Sequence, residues 1–213
     1  MSETISSAQI HKIIVSICDT VEEQQQYLSD LDGELGDGDH GVNMAKCFRD
    51  VRKKVDAVAD KDCGVILKTV GMHVMNSVGG AMGALYGTMF LKLAAECVGK
   101  TDVNLDDLAR MFTAAEAGIR TIGKANVGDK TLLDTVAPAV AALQKSAADK
   151  KPLAEALNDF DKAAKEGMES TRPLIAKMGR ASRLGERTIG HLDAGAASCY
   201  FILRSFAQGN KVN

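Results

Sequence analysis

The chain has 213 residues, 46% hydrophobic and 25% charged, with 26 Lys and Arg against 28 Asp and Glu for a formal charge of −2. That near-balance excludes a general affinity for nucleic acid or anionic membrane, and the ordinary apolar content excludes a disordered chain. No apolar run approaches the roughly 20 residues a membrane helix needs, and the first residues lack the basic and apolar regions of a secretory leader, so a cytoplasmic location is expected. With 4% aromatics and 3 Pro, the composition predicts one all-α domain over residues 1–213.

Taken in chain order, apolar spacing predicts eight helices and no strand. Residues 6–30 place Ile10, Ile13, Ile14, Ile17 and Val21 on one face. Residues 41–59 carry Val42, Phe48, Val51 and Val55, and residues 63–77 group Ile66, Leu67, Val70 and Val74. Residues 84–98 are apolar all round, and 105–122 repeat Leu105, Leu108, Met111, Phe112, Ala115 and Ile119. Residues 131–146, 152–178 and 196–208 complete the set, with Pro152 suited to a first turn and Pro173 able to kink or end the seventh helix. Helices of this number with short connections predict an antiparallel bundle. The five cysteines are scattered, with no close pair, and read as buried hydrophobes rather than a zinc or disulfide framework.

Glycine is gathered into four clusters, 33–41, 79–87, 123–128 and 179–195. They fall between helices one and two, three and four, five and six, and seven and eight. Alternate connections of an up-and-down bundle lie at the same end, so parity alone brings all four to one rim.

The first cluster holds Asp32, Asp37 and Asp39 among glycines. Like charges this dense call for a cation. The spacing does not fit an EF-hand, because Gly41 and Val42 fall where an oxygen ligand and the turn glycine belong. Carboxylates beside a phosphate suit Mg2+. Residues 36–41 match G-x-G-x-x-G, but no strand precedes them and the intervening residues are anionic. Residues 118–124 match part of a P-loop, but Ala125 replaces its Ser or Thr. The second cluster suits either a phosphate at a helix N-terminus or close helix packing. Arg180, Arg183 and Arg187 add cations with the planar fork that phosphate accepts. Of the histidines, His40 and His191 fall in rim clusters, whereas His11 and His73 lie within helices. An acidic loop, a glycine-rich helix start and an arginine loop together point to a nucleotide held by Mg2+, with phosphoryl transfer as the chemistry.

These residues resemble the nucleotide-binding L subunit of dihydroxyacetone kinases. The match covers nearly the whole chain: Leu35-Gly36-Asp37-Gly38-Asp39-His40-Gly41 with Asn43-Met44, then Val78-Gly79-Gly80-Ala81, Gly128-Asp129-Lys130-Thr131 and Gly179-Arg180-Ala181-Ser182. The stretch from Leu184 to His191 resembles the version that works with the phosphoenolpyruvate phosphotransferase system. The resemblance implies a closed barrel of eight antiparallel helices with ADP or ATP and two Mg2+ ions at one rim. It implies Asp32, Asp37 and Asp39 as metal ligands, acting with Arg180 in catalysis. It implies nucleotide contacts from His40, Gly41, Val42, Asn43, Ala81, Met82, Gly123, Leu132, Arg180, Leu192, Asp193 and Ala194. It further implies two partners: a K subunit holding dihydroxyacetone, to which the γ-phosphoryl passes, and an M subunit whose phosphohistidine rephosphorylates bound ADP. A homodimer is compatible with it. Met82 stands where the family commonly has Ser, Ala84 and Ala194 replace frequent prolines, and Arg183 replaces an aromatic. Two other readings stay open at this point, a kinase subunit that exchanges free ATP and a regulatory nucleotide-binding module.

Overall fold

In the computed structural model, which describes residues 3–209, the N-terminal apolar stripe is a buried helix face. Ile10, Ile13, Ile14, Ile17 and Val21 of α1 (Ser7–Glu23) have no accessible surface. Ser6 starts this helix with a capping box, accepting from the Gln9 N–H while the Gln9 side chain accepts from the Ser6 N–H. The predicted helix 6–30 is two helices. The helix breaks at Gln24 (φ −89°, ψ 5°), and α2 (Gln25–Leu35) follows as a separate helix. Residues 22–26 are all polar, so no buried side chain keeps the chain straight there. Leu28 and Leu31 then bury the inner face of α2.

The other elements are α3 (His40–Asp56), α4 (Cys63–Ser77), α5 (Gly80–Ala95), α6 (Leu105–Gly123), α7 (Leu132–Ala148), α8 (Leu153–Ser170), a 3-10 helix (Ala181–Thr188) and α9 (Ala194–Gly209). Nine α-helices are therefore present among the described residues, where eight were expected. Asp62, Asn104 and Thr131 cap α4, α6 and α7 through their side chains. From α3 onward each helix packs on the next, and α9 returns to α1, so the bundle closes into a ring. The core inside is mostly aliphatic, with an aromatic cluster where Phe112 meets Phe160 and Phe206 at centroid distances of 4.8 and 5.1 Å and a further pair, Phe48 and Phe90, at 6.4 Å.

Other elements also differ from the periodicity. A short antiparallel pair, β1 (Thr4–Ser6) and β2 (Asp102–Asn104), sets Ile5 opposite Val103 with both fully buried. Three residues carry too little alternation to be read as a strand. Helix α5 begins at Gly80, four residues before the predicted start, because the packing of Gly83 and Gly87 outweighs the poor helix propensity of glycine. Helix α8 ends at Ser170 rather than at residue 178, ahead of Pro173, and residues 171–193 form an excursion over the rim. None of the five cysteines is in a disulfide, and all are buried. No helix among the described residues is long and apolar enough to cross a membrane.

Helices α7 and α8 cross closely at Gly167. A Cβ there would lie 2.3 Å from the Asp134 carbonyl oxygen and 2.6 Å from Pro138 Cγ. Pro138 lies inside α7 and lacks the N–H that would bond that carbonyl. In an open helix, alanine gains about 1 kcal/mol over glycine. At this crossing the sign should reverse: Gly167→Ala is expected to lose about 1–3 kcal/mol through overpacking, read as a lower thermal unfolding midpoint with unchanged helical circular dichroism.

Candidate functional site

Antiparallel alternation brings the starts of α3, α5, α7 and α9 to one rim, where His40, Gly80, Leu132 and Ala194 line a single cavity of about 810 Å³. Gly36, Gly79, Gly123 and Gly179 line it too, so each of the four glycine clusters reaches the same space. Helix N-termini present unpaired N–H groups and a partial positive charge. The rim is accordingly suited to anions.

The acidic cluster sits on this rim. Carboxylate oxygens of Asp32, Asp37 and Asp39 lie within 4.8 Å of one another, with Asp32 half-buried and the other two exposed. Asp32 is in the last turn of α2 and accepts the His40 N–H at 3.3 Å, which ties that helix to the start of α3. Gly36 leaves room for this carboxylate, since a Cβ there would stand 2.6 Å from Asp32 Oδ1. Gly38, at φ +74°, reverses the chain between Asp37 and Asp39. Arg180, carried by the excursion, is ion-paired with Asp37, and His191 Nδ1 meets Glu34 Oε2 at 2.8 Å. These two pairs hold the arginine loop against the acidic loop.

The glycines around α5 divide between the two roles expected of them. Gly79 caps the helix without a side-chain bond, Gly80 has φ +69°, and a Cβ at either would meet nothing within 4 Å, so their backbone is open to a ligand. Gly83 and Gly87 instead serve packing, with Cβ positions 1.9 Å from Val78 O and 2.8 Å from Met75 Cβ. Ala81 and Met82 line the cavity in the first turn.

Below the acidic loop runs a polar chain. His40 Nε2 is 2.8 Å from Ser198 Oγ, which is 2.6 Å from the Tyr86 hydroxyl, and Tyr86 donates to the Gly195 carbonyl at 3.0 Å. Burial lowers the His40 pKa, against the pull of Asp32 and Asp39, which favours a neutral ring. On the α9 side, Asp193 Oδ2 accepts the Ala196 N–H at 2.7 Å. Burial raises its carboxyl to about 6, with the Ala196 N–H and Lys130 opposing the rise.

Of the expected site residues, Asp32, Asp37, Asp39, His40, Asn43, Ala81, Met82, Gly123, Leu132, Arg180, Asp193 and Ala194 all line the cavity. Gly41, Val42 and Leu192 do not. Gly41 lies against α2, where a Cβ would be 2.0 Å from Gln25 O. Val42 is half exposed away from the cavity, and Leu192 is in the core. Tyr86 and Lys130 line the cavity without having been expected there. Tyr86 lies in an apolar helix, where nothing in the sequence separates it from core. Lys130 belongs to a recognisable turn, but its burial is a tertiary property.

Fold and site together define a closed helical domain with an anion-accepting rim and an acidic cluster set into it. The chain belongs to the DAK2 domain family, whose model matches residues 34–208. It is 41% identical over 214 residues to the ADP-binding subunit DhaL of PEP-dependent dihydroxyacetone kinase 2 from Listeria innocua serovar 6a, covering 99% of both chains. It is 39% identical to the corresponding Escherichia coli K12 subunit, over 98% of this chain and 99% of that one. Against the DhaL subunit of the PTS-dependent kinase of Lactococcus lactis it is 36% identical, over 88% of this chain and 90% of that one. The fold also matches the crystal structure of the dihydroxyacetone kinase from C. freundii in complex with AMP-PNP and Mg2+, with a TM-score of 0.67 at 21% identity. That match covers 93% of this chain and 33% of that one.

The raised Asp193 pKa carries a sign for stability. A carboxyl with a higher pKa folded than unfolded favours the folded state in its protonated form. That contribution is present below pH 4 and lost as pH rises through about 6. At neutral pH the ionised group is a cost. Asp193→Asn keeps an oxygen for the Ala196 N–H and is expected to stabilise the ligand-free protein by about 1–3 kcal/mol at pH 7.5, with little gain below pH 4, as measured by urea unfolding at the two pH values.

Proposed function

We propose that this chain is the nucleotide-binding subunit of a dihydroxyacetone kinase that works with the phosphoenolpyruvate phosphotransferase system. The observation that carries the reading is the meeting, in one cavity, of three carboxylates, the open amide end of α5 and the Arg180 guanidinium. Full-length similarity to DhaL subunits, which are ADP-binding subunits of such kinases, supports it.

Asp32, Asp37 and Asp39 fit Mg2+ as an all-oxygen donor set, and two ions are proposed to be shared among them and the nucleotide phosphates. When bound, Mg2+ supplies neutralisation of charge on phosphate oxygens. The chain's own groups do the rest. The N–H groups at Gly80, Ala81 and Met82 donate to phosphate oxygens, and Met82, lacking the hydroxyl common in the family, contributes through its backbone. Arg180 offers two parallel donors to a transferring phosphoryl group. Neutral His40, held by Ser198, adds a hydrogen bond without adding charge. Leu132, Gly123 and Ala194 bound the remaining cavity, with Asp193 as its polar contact.

In this reading the γ-phosphoryl passes from bound ATP to dihydroxyacetone held by a separate K subunit. A phosphohistidine of an M subunit restores ATP in place, so ADP stays as a cofactor. The location is cytoplasmic, where that donor system operates.

Asp37→Ala should abolish Mg2+-dependent ADP binding by calorimetry, a loss of at least 100-fold, with the helical circular dichroism kept. Unchanged ADP affinity would reject the metal assignment. Purified protein should carry ADP in native mass spectra. With a K subunit supplied, turnover should require the phosphoenolpyruvate system; turnover on free ATP alone would favour an exchanging kinase. Met82→Ser should leave ADP affinity equal or higher, and a marked loss would show that this helix start is built differently from that of the family.

A further inference from the structure

The turn Gly128-Asp129-Lys130-Thr131 has no role in the reading above, yet its side chains reach two separate parts of the arginine loop. Lys130 has φ +60° and is only 2% exposed. Its ammonium donates to the Thr171 carbonyl at 2.6 Å and to the His191 carbonyl at 2.5 Å. These residues lie at the two ends of the 171–193 excursion that carries Arg180. Between them Gly190 N–H donates to Arg172 O at 2.8 Å, closing the same neck. Asp129 holds the middle of the excursion, accepting Lys177 Nζ at 2.9 Å on its carboxylate and Lys177 N–H at 3.1 Å on its carbonyl. The turn itself is fixed to α7, because the Asp134 carboxylate accepts the N–H groups of Gly128 and Thr131 at 2.5 and 2.7 Å.

An excursion of this length, with one short 3-10 helix, has a substantial closure entropy. A cation that satisfies a carbonyl from each end brings those ends together and is shielded from water there, where charged hydrogen bonds are strongest. We infer that this turn is a clasp on the arginine loop and that Lys130 is its positioning residue, holding Arg180 over the acidic cluster. Lys130 acts through Arg180. Its effect on the nucleotide rests on the function proposed above, whereas the clasp on the loop does not.

The test uses the full chain without nucleotide. Trypsin cleavage after Arg180, Arg183 and Arg187 is followed by mass spectrometry in the parent protein and in Lys130→Met, which keeps the aliphatic stem and removes the donors. With the unfolding midpoint used to confirm a folded variant, cleavage at these three bonds is expected to rise at least tenfold through local opening, while cleavage within α1 to α7 stays at the parent rate. Release of Mg2+-ADP, followed in the same two proteins, is expected to be at least tenfold faster in the variant, which a lysine serving stability alone would not produce. Unchanged cleavage in a folded Lys130→Met overturns the clasp. Faster cleavage with unchanged ADP release overturns the positioning role. A parent protein that binds no ADP rejects the function proposed above and leaves the cleavage comparison to decide the clasp. Should Lys130→Met not fold, Lys177→Met at the exposed end of the clasp is expected to speed cleavage after Arg180 and Arg183 about threefold, and no change there overturns the inference.

Discussion

The structure depends on closure of an antiparallel helical ring. Once α9 packs back on α1, every second helix must begin at the same end, and the N-termini of α3, α5, α7 and α9 crowd one cavity. Each brings a partial positive charge and N–H groups with no partner inside the helix. Three carboxylates within 4.8 Å would repel one another on an ordinary surface. At this rim they face helix ends of opposite sign and the guanidinium of Arg180. Phosphate groups and divalent cations are the ligands that such an alternation of charge fits.

Glycine makes both the ring and the rim possible, by different means. Gly41, Gly83, Gly87 and Gly167 stand where a Cβ would strike a neighbouring backbone or side chain, so they allow the close crossings that seal the barrel. Gly38 and Gly80 take positive φ at the acidic loop and at the start of α5, a backbone conformation that residues with side chains rarely adopt. A core short of aromatics suits this arrangement, because small and aliphatic side chains let the helices approach closely.

Several buried polar groups beneath the rim are partnered. Ser198 links His40 to Tyr86, Asp193 caps α9, and Lys130 bridges two carbonyls. Burial disfavours the charged form of each ionisable group here, raising the Asp193 pKa and lowering those of His40 and Lys130. Hydrogen bonds hold these side chains in place, so the rim is preorganised, with the main-chain excursion 171–193 tied over it.

Amphipathic spacing was sufficient to read the helices from α3 to α7 and to place α9, because a buried face repeats every three to four residues and the repeat is local information. Parity then brought the glycine clusters together, and Asp32, Asp37, Asp39 and Arg180 were legible as an acidic cluster and its cation. The pairing of Ile5 with Val103 was not, since a distant segment decides it; the polar run at residues 22–26 left the break at Gln24 unmarked by periodicity, and Pro173 signalled an end to α8 without fixing it at Ser170. Within the site, Gly41, Val42 and Leu192 stand outside the cavity lining although their neighbours in sequence belong to it, because successive residues on a helix or at its start face different directions. Lys130 shows the remaining division most clearly. By itself the sequence determined a lysine in a glycine turn near a helix start. Only the tertiary structure could bring the carbonyls of Thr171 and His191 onto its ammonium, because that bond joins segments 41 and 61 residues away, whose meeting depends on closure of the whole ring.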